Sequence, residues 1–156
     1  MAPPIVRTLD QLAVGETISY PSRTLSDAQF LLFSAMTGDR EPVHLDRVLA
    51  AEGPFGAPVA HGLMLAAMTA LGGSYEAGRI AVLAILEQST TFRRPALLGD
   101  TVTCHGEIIE IIPREAGRGL LRMRVEVRNQ RQETLLQGEH LYLVTRDDAQ
   151  NDTSSG

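Results

Sequence analysis

Ala60-His61-Gly62-Leu63-Met64-Leu65-Ala66-Ala67-Met68-Thr69-Ala70-Leu71 is the stretch that decides the fold. It is apolar on every side, so a helix here must be buried on most of its faces. Gly62, Ala66, Ala67 and Ala70 would let other backbone come close, and Gly72-Gly73 ends the run. After it the chain changes character. Residues 79–92, 100–112, 119–129 and 134–146 read as strands. In the third, Leu121, Met123, Val125 and Val127 alternate with Arg122, Arg124, Glu126 and Arg128, which gives one face to a core and one to water. The connections at 95–100, 113–118 and 130–133 are too short for helical crossovers, which predicts an antiparallel meander. An α+β fold follows: four or five strands curled around one apolar helix. Such a sheet has open edges, and pairing with a second copy would cover them.

Upstream, residues 1–8 read as an arm and 17–20 as a short strand that Pro21 confines to an edge. Ser26-Asp27-Ala28-Gln29 is a capping box and predicts a helix over about 27–36, with Phe30, Leu31, Phe33 and Ala35 as its apolar face. Gly38 stands where a left-handed C-cap wants glycine, and so turns the chain sharply into Asp39. Pro42 fixes its own φ and disfavours helix at Glu41, so Asp39 and His44 are expected on a stiff non-helical segment. Residues 45–51 read as a short helix and 53–58 as a loop. From Asp147 the chain is polar and small, which predicts a disordered tail over 147–156 and leaves 9–146 as the single domain.

The totals exclude several classes. Apolar residues make up 44 % and charged residues 21 %, an ordinary globular balance. A net charge of −5 argues against general nucleic-acid binding, which needs a basic footprint. Arg23, Arg79, Arg93 and Arg94 remain candidates for a local phosphate site. A single cysteine, Cys104, rules out an internal disulfide and fits a reducing compartment. The start of the chain has no signal-peptide pattern, and the longest apolar run is far short of the ~20 residues a spanning helix needs. The expectation is a soluble cytoplasmic protein with no membrane partner.

The chemistry gathers between residues 37 and 62. Asp39 and His44 sit five apart across a proline, an acid and an imidazole able to share one water as a general acid/base pair. The alternative reading makes Asp39 a helix cap and His44 a surface residue. At His61-Gly62 the helix N-terminus offers free N–H groups that could polarise a carbonyl. The alternative there is tight packing at Gly62, with His61 capping its own helix. No metal site is expected, because His44, His61, His105 and His140 show no ligand spacing and Cys104 has no partner. No phosphate-cradling glycine loop precedes a helix, and no serine elbow is present. Arg93-Arg94-Pro95 reads either as a solvated strand end or as a binder of cofactor-tail phosphates.

Three segments resemble one family. Thr37-Gly-Asp39-Arg-Glu-Pro42-Val-His44-Leu-Asp46 resembles the G-D-x-N-P-x-H-x-D motif of the MaoC-like (R)-specific enoyl-CoA hydratases. Ala60-His-Gly62-Leu-Met-Leu resembles their V-H-G-M-L motif, and residues 91–102 resemble their F-x-x-P-V-x-x-G-D-x-V segment. The resemblance spans about 12–144 and implies a hotdog fold and a homodimer joined edge to edge, or a higher assembly of such dimers. It implies that Asp39 and His44 activate water and move its proton. It implies that Gly62, beside His61, offers its N–H to a thioester carbonyl, and that Pro42 and the residue before it hold the loop. An acyl-CoA is then the substrate, and no further cofactor is required. The reaction would be addition of water to a trans-2-enoyl-CoA, giving a (3R)-hydroxyacyl-CoA. One departure stands out: the family's Asn is Glu41 here, which can accept but not donate hydrogen bonds when ionised. One alternative is a thioesterase using an acidic residue and the same helix end; the other, which Glu41 keeps open, is a non-catalytic acyl-CoA-binding or regulatory protein. Ala70 also stands where some members carry serine.

Overall fold

The structure, a computed structural model, describes residues 5–147. Its frame is an antiparallel sheet of β1 (Thr17–Ser19), β2 (Arg23–Thr24), β3 (Val82–Phe92), β4 (Thr101–Pro113), β5 (Arg118–Arg128) and β6 (Thr134–Thr145). The four long strands fall within a few residues of their expected bounds. Their order is β1-β4-β5-β6-β3, with β2 also on β4. The meander therefore holds only for β4 to β6. β3 does not neighbour β4; it pairs with β6 and forms the sheet edge. The reason lies in the link after β3. Ala60 N–H donates to the Ala96 carbonyl at 2.8 Å, and Leu98 N–H donates to the Pro58 carbonyl at 2.9 Å. That link is therefore tied to the segment before the apolar helix, and it delivers the chain to the far side of the sheet.

The apolar helix, α4 (Gly62–Ala67), is shorter than the expected 60–71. Side chains of β6 and of the residue after β1 capture the backbone groups that further turns would have used. Leu71 N–H donates to the Tyr142 hydroxyl at 3.0 Å, and the Tyr20 hydroxyl donates to the Thr69 carbonyl at 2.9 Å. Thr69 Oγ1 donates to the Ala66 carbonyl and also meets His140 Nε2. His140 Nδ1 lies 2.8 Å from the Tyr142 hydroxyl. These bonds stop the helix and satisfy a buried polar group that would otherwise be costly. Burial holds His140 below the usual histidine value, so it stays neutral in this network.

Met64, Leu65 and Ala66 of α4 pack on Ile108, Leu121, Met123, Val127, Leu136 and Tyr142 from the sheet. Leu121 and its alternating partners are thus the buried face of β5, as the pattern implied. The whole is the hotdog arrangement, a curved sheet around a helix. Leu63 on the far side of α4 is exposed, so the helix is half covered within one chain and not buried all round.

Before α4 come α1 (Asp27–Thr37), α2 (Pro42–Leu45) and α3 (Arg47–Glu52). Ser26 and Gln29 form the expected capping box, and Gly38 ends α1 with φ 80°. The buried stripe of α1 differs from expectation: Phe30 and Ser34 are buried, whereas Leu31 and Leu32 are exposed. Helical spacing puts positions 30, 33, 34 and 37 on one side, and the chain uses that side despite the hydroxyl. α2 corrects the reading of Pro42. Proline sits at N1, where its missing N–H costs nothing and its fixed φ suits a helix. His44 is therefore carried on a helical turn. Asp46 starts α3, its carboxylate accepting from Val48 and Leu49 N–H.

Of the expected arm, Arg7 is bridged to Ile80, and its guanidinium pairs with Glu16. Of the expected tail, only Asp147 lies within the described residues, and its N–H donates to Asp10. Among the described residues no helix is long and apolar enough to cross a membrane.

Candidate active site

Gly38 turns the chain out of α1, and the α2 turn brings it back, so Asp39 and His44 face each other across the opening of this hook. Asp39 N–H donates to Thr37 Oγ1, and Glu41 N–H donates to Asp39 Oδ1 at 3.4 Å. The Asp39 carboxylate is exposed and His44 half-buried. His44 Nδ1 lies 2.7 Å from the Val59 carbonyl. A carbonyl only accepts, so Nδ1 carries a proton, and in the neutral ring the lone pair is the one on Nε2. Tautomer and ring orientation are fixed together, which is how a catalytic imidazole is held ready.

His61 completes the cluster from beneath. It is 1 % exposed, and its ring stacks on His44 with centroids 3.9 Å apart. Its Nε2 lies 3.1 Å from Ser34 Oγ and 3.3 Å from the Asp39 carbonyl. The carbonyl again requires the proton on Nε2, which leaves Nδ1 buried and without a partner among the described residues. Burial, and then the neighbouring His44, hold His61 below the usual histidine value, while its contacts to Asp39 pull the other way. His61 does not cap its own helix by a side-chain bond. It ties Asp39 to α1 and supports His44. Phe33 and Phe30 pack against its ring, with centroids at 4.9 and 6.0 Å.

One ring nitrogen or carboxylate oxygen from each of Asp39, His44 and His61 lies within 4.8 Å of the others. Linear spacing hid this donor set, which the fold assembles from two separate stretches. His61 enters it with Nε2 engaged and His44 with Nδ1 engaged, and Asp39 Oδ1 accepts from Glu41 N–H, which leaves Asp39 Oδ2 and His44 Nε2 uncommitted among the described residues.

His44 and Gly62 line one cleft of about 420 Å³, with Phe55, Leu65, Phe92 and Arg94 among its walls. Gly62 makes room for Phe92: a Cβ there would stand 3.0 Å from the ring's Cζ. As the first residue of α4, Gly62 has an N–H with no carbonyl one turn earlier in the helix to bond. Arg93 and Arg94 reach the same cleft, while Arg23 and Arg79 do not line it. A second cavity of about 360 Å³ lies at the other end of α4, between Ala70, Leu71, Val82, Ile85 and Tyr142.

Glu41 and Pro42 act on the loop through backbone. The Glu41 carbonyl accepts His44 N–H at 3.0 Å and the Pro42 carbonyl accepts Asp46 N–H at 2.8 Å. The Glu41 side chain is exposed and makes no hydrogen bond among those found for the described residues. Ser34 and Val59 stand outside every motif read from the sequence, and Phe92 enters there only as the first residue of the F-x-x-P segment, with no role of its own. Ser34 leaves one signal, a hydroxyl four residues after Phe30 on the buried stripe of α1.

The MaoC-like domain family matches residues 10–130. The chain belongs to the MaoC-like family. A 3-hydroxybutyryl-CoA dehydratase from Methylorubrum extorquens is 36% identical over 138 residues, which is 88% of this chain and 83% of that one. Among solved structures, a monoamine oxidase regulatory protein from Archaeoglobus superposes with TM-score 0.82 at 26% identity, covering 90% of this chain and 95% of that one. An (R)-hydratase from Pseudomonas aeruginosa gives TM-score 0.76 at 28% identity, covering 90% and 86%. Against the MaoC-like pattern, Glu41 is the one departure within the first motif, and its side chain points to no partner in the loop it occupies.

Proposed function

We propose that this chain is a hydro-lyase that adds water reversibly to trans-2-enoyl-CoA thioesters to give (3R)-3-hydroxyacyl-CoA. The observation that carries it is the shared cleft: His44, which has a ring nitrogen within 4.8 Å of an Asp39 carboxylate oxygen, lines the same space as Gly62. In the hydration direction, Asp39 and His44 hold one water between them. Its oxygen attacks C3 of the enoyl group as one of the pair takes a proton, and a proton is delivered to C2. Negative charge builds on the thioester oxygen, and the Gly62 N–H donates to it. His61 and Pro42 position these groups, and the chemistry uses only residues of this chain and water. The relatives named as a dehydratase and an (R)-hydratase support the reading. The test is a spectrophotometric assay with crotonyl-CoA, in which loss of the conjugated thioester absorbance is expected. Release of free CoA from a saturated acyl-CoA would instead mark a thioesterase, and binding without turnover would overturn the enzyme reading.

We further infer a homodimer joined through β3. This strand has one neighbour, β6, and leaves Leu83, Ile85, Leu86 and Phe92 about half exposed along it. An open apolar edge is a template for pairing, and a second copy satisfies it. Sedimentation should give about twice the 16.9 kDa chain mass. A Leu83→Lys, Ile85→Lys variant should be smaller. A monomer for the unaltered chain would remove the inference.

A further inference from the structure

Arg93 and Arg94 leave β3 at the rim of the catalytic cleft, and both are exposed. The same two side chains line an adjoining open groove of about 730 Å³, with Gln132, Glu133, Thr134 and Gln137. Their backbone is fixed there, since both N–H groups donate to the Leu135 carbonyl, at 2.8 and 3.3 Å. Arg93 Nε donates to Gln137 Oε1 at 3.2 Å, which points the guanidinium along the groove. Among the described residues neither arginine has an ion-pair partner. The neighbouring arginines do: Arg128 holds Glu126, and Arg131 holds Asp100 and Glu133. Glu133, the acid in the groove, is occupied by Asn129 and Arg131. Two adjacent cations without an ion-pair partner among the described residues therefore stand at the cleft mouth of a chain whose net charge is −5.

We propose that Arg93 and Arg94 seat the phosphates of coenzyme A, its 3′-phospho-ADP end, while the acyl end lies by His44. This rests on the hydratase reading above. A CoA thioester in the cleft must lead its pantetheine arm out past the rim, and the nucleotide then meets the groove. Guanidinium forks bind phosphate oxygens bidentately and suit this role better than point charges. An acidic carrier protein would bring the same phosphopantetheine arm. Besides the two arginines the groove offers the Gln132 and Gln137 amides and the Thr134 hydroxyl, neutral polar groups that can meet a ribose and its phosphates, whereas among the described residues it presents no apolar side chain for a protein helix to pack on.

The experiment compares crotonyl-CoA with crotonyl-pantetheine, which has the arm but no phosphates, in the unaltered chain and in Arg93→Ala, Arg94→Ala and the double variant. The double variant should raise KM for crotonyl-CoA roughly tenfold, as exposed charge-assisted hydrogen bonds are lost. Its kcat should hold, and KM for crotonyl-pantetheine should not change. In the unaltered chain, KM for crotonyl-CoA should also rise with salt. An unchanged KM for crotonyl-CoA overturns the proposal. So does an equal rise for both thioesters, which would make the arginines act on the acyl or pantetheine part and not on the phosphates. A defect confined to crotonyl carried on an acyl carrier protein overturns it in favour of that partner. If the unaltered chain hydrates neither thioester, the hydratase reading fails instead. Calorimetric binding of 3′-phospho-ADP to the unaltered chain and the double variant then decides the arginine site separately: weaker binding in the double variant supports it, and equal binding overturns it.

Discussion

Asp39→Asn and His44→Ala should each lower kcat for crotonyl-CoA hydration by roughly 10²–10⁴-fold, the span seen when a positioned proton-transfer group is removed. The fold should survive both. The Asp39 carboxylate is exposed, and the contact that ties this residue to His61 comes from its backbone carbonyl, which asparagine keeps. His44→Ala gives up the stack on His61 and the bond to the Val59 carbonyl. It leaves the hydrophobic core of α4 and the sheet untouched, so the urea midpoint should shift little. Groups that act on one water act as a unit, so the double variant should fall little further than the worse single one. Activity within a few-fold of the unaltered chain in either single variant, with the fold intact, would remove the mechanism.

Gly62→Pro should cost roughly 10²–10³-fold in kcat, about 2.7–4 kcal/mol, the usual loss for one oxyanion donor. The substitution deletes the N–H and nothing else that the helix needs. Proline is welcome at the first helical position. The residue before it must be extended, and His61 already is, at φ −57° and ψ 126°. An added Cβ meets the Phe92 ring, 3.0 Å from where it would stand. That ring is the end of a half-exposed side chain, so the test is best made with Phe92→Leu in the background. Gly62→Ala in the same background keeps the N–H and should retain most of kcat. Equal losses in the alanine and proline variants would show that space at Gly62 matters and its N–H does not.

Much of the scaffold was legible because it is written in short-range patterns. The alternation from Leu121 to Arg128, the box at Ser26 and Gln29, and the glycine at 38 each carry their own geometry. What stayed hidden depends on partners distant in sequence. The end of α4 is set by Tyr20 and Tyr142, one from before the helix and one from the last strand. The place of β3 is set by bonds between 58–60 and 96–98. Pro42 was read by its effect on the residue before it, while its own place at the start of a turn decided where His44 went. The candidate residues Asp39, His44, His61 and Gly62 were named from motifs. Their assembly was not: that His61 lies under His44, and that Ser34 and Val59 hold the two rings, follows from how α1 and the 58–60 segment cross.

The brevity of α4 has a consequence for inheritance. Six residues separate two cavities, and each end is anchored by its own bonds. At one end Val59, Ser34 and the Asp39 carbonyl hold the imidazoles; at the other Thr69, His140 and Tyr142 arrest the helix. A substitution at Ala70 or Ile85 reshapes the far cavity and leaves the near end where it was. Descendants of this sequence can therefore diverge at one end while purifying selection guards the other.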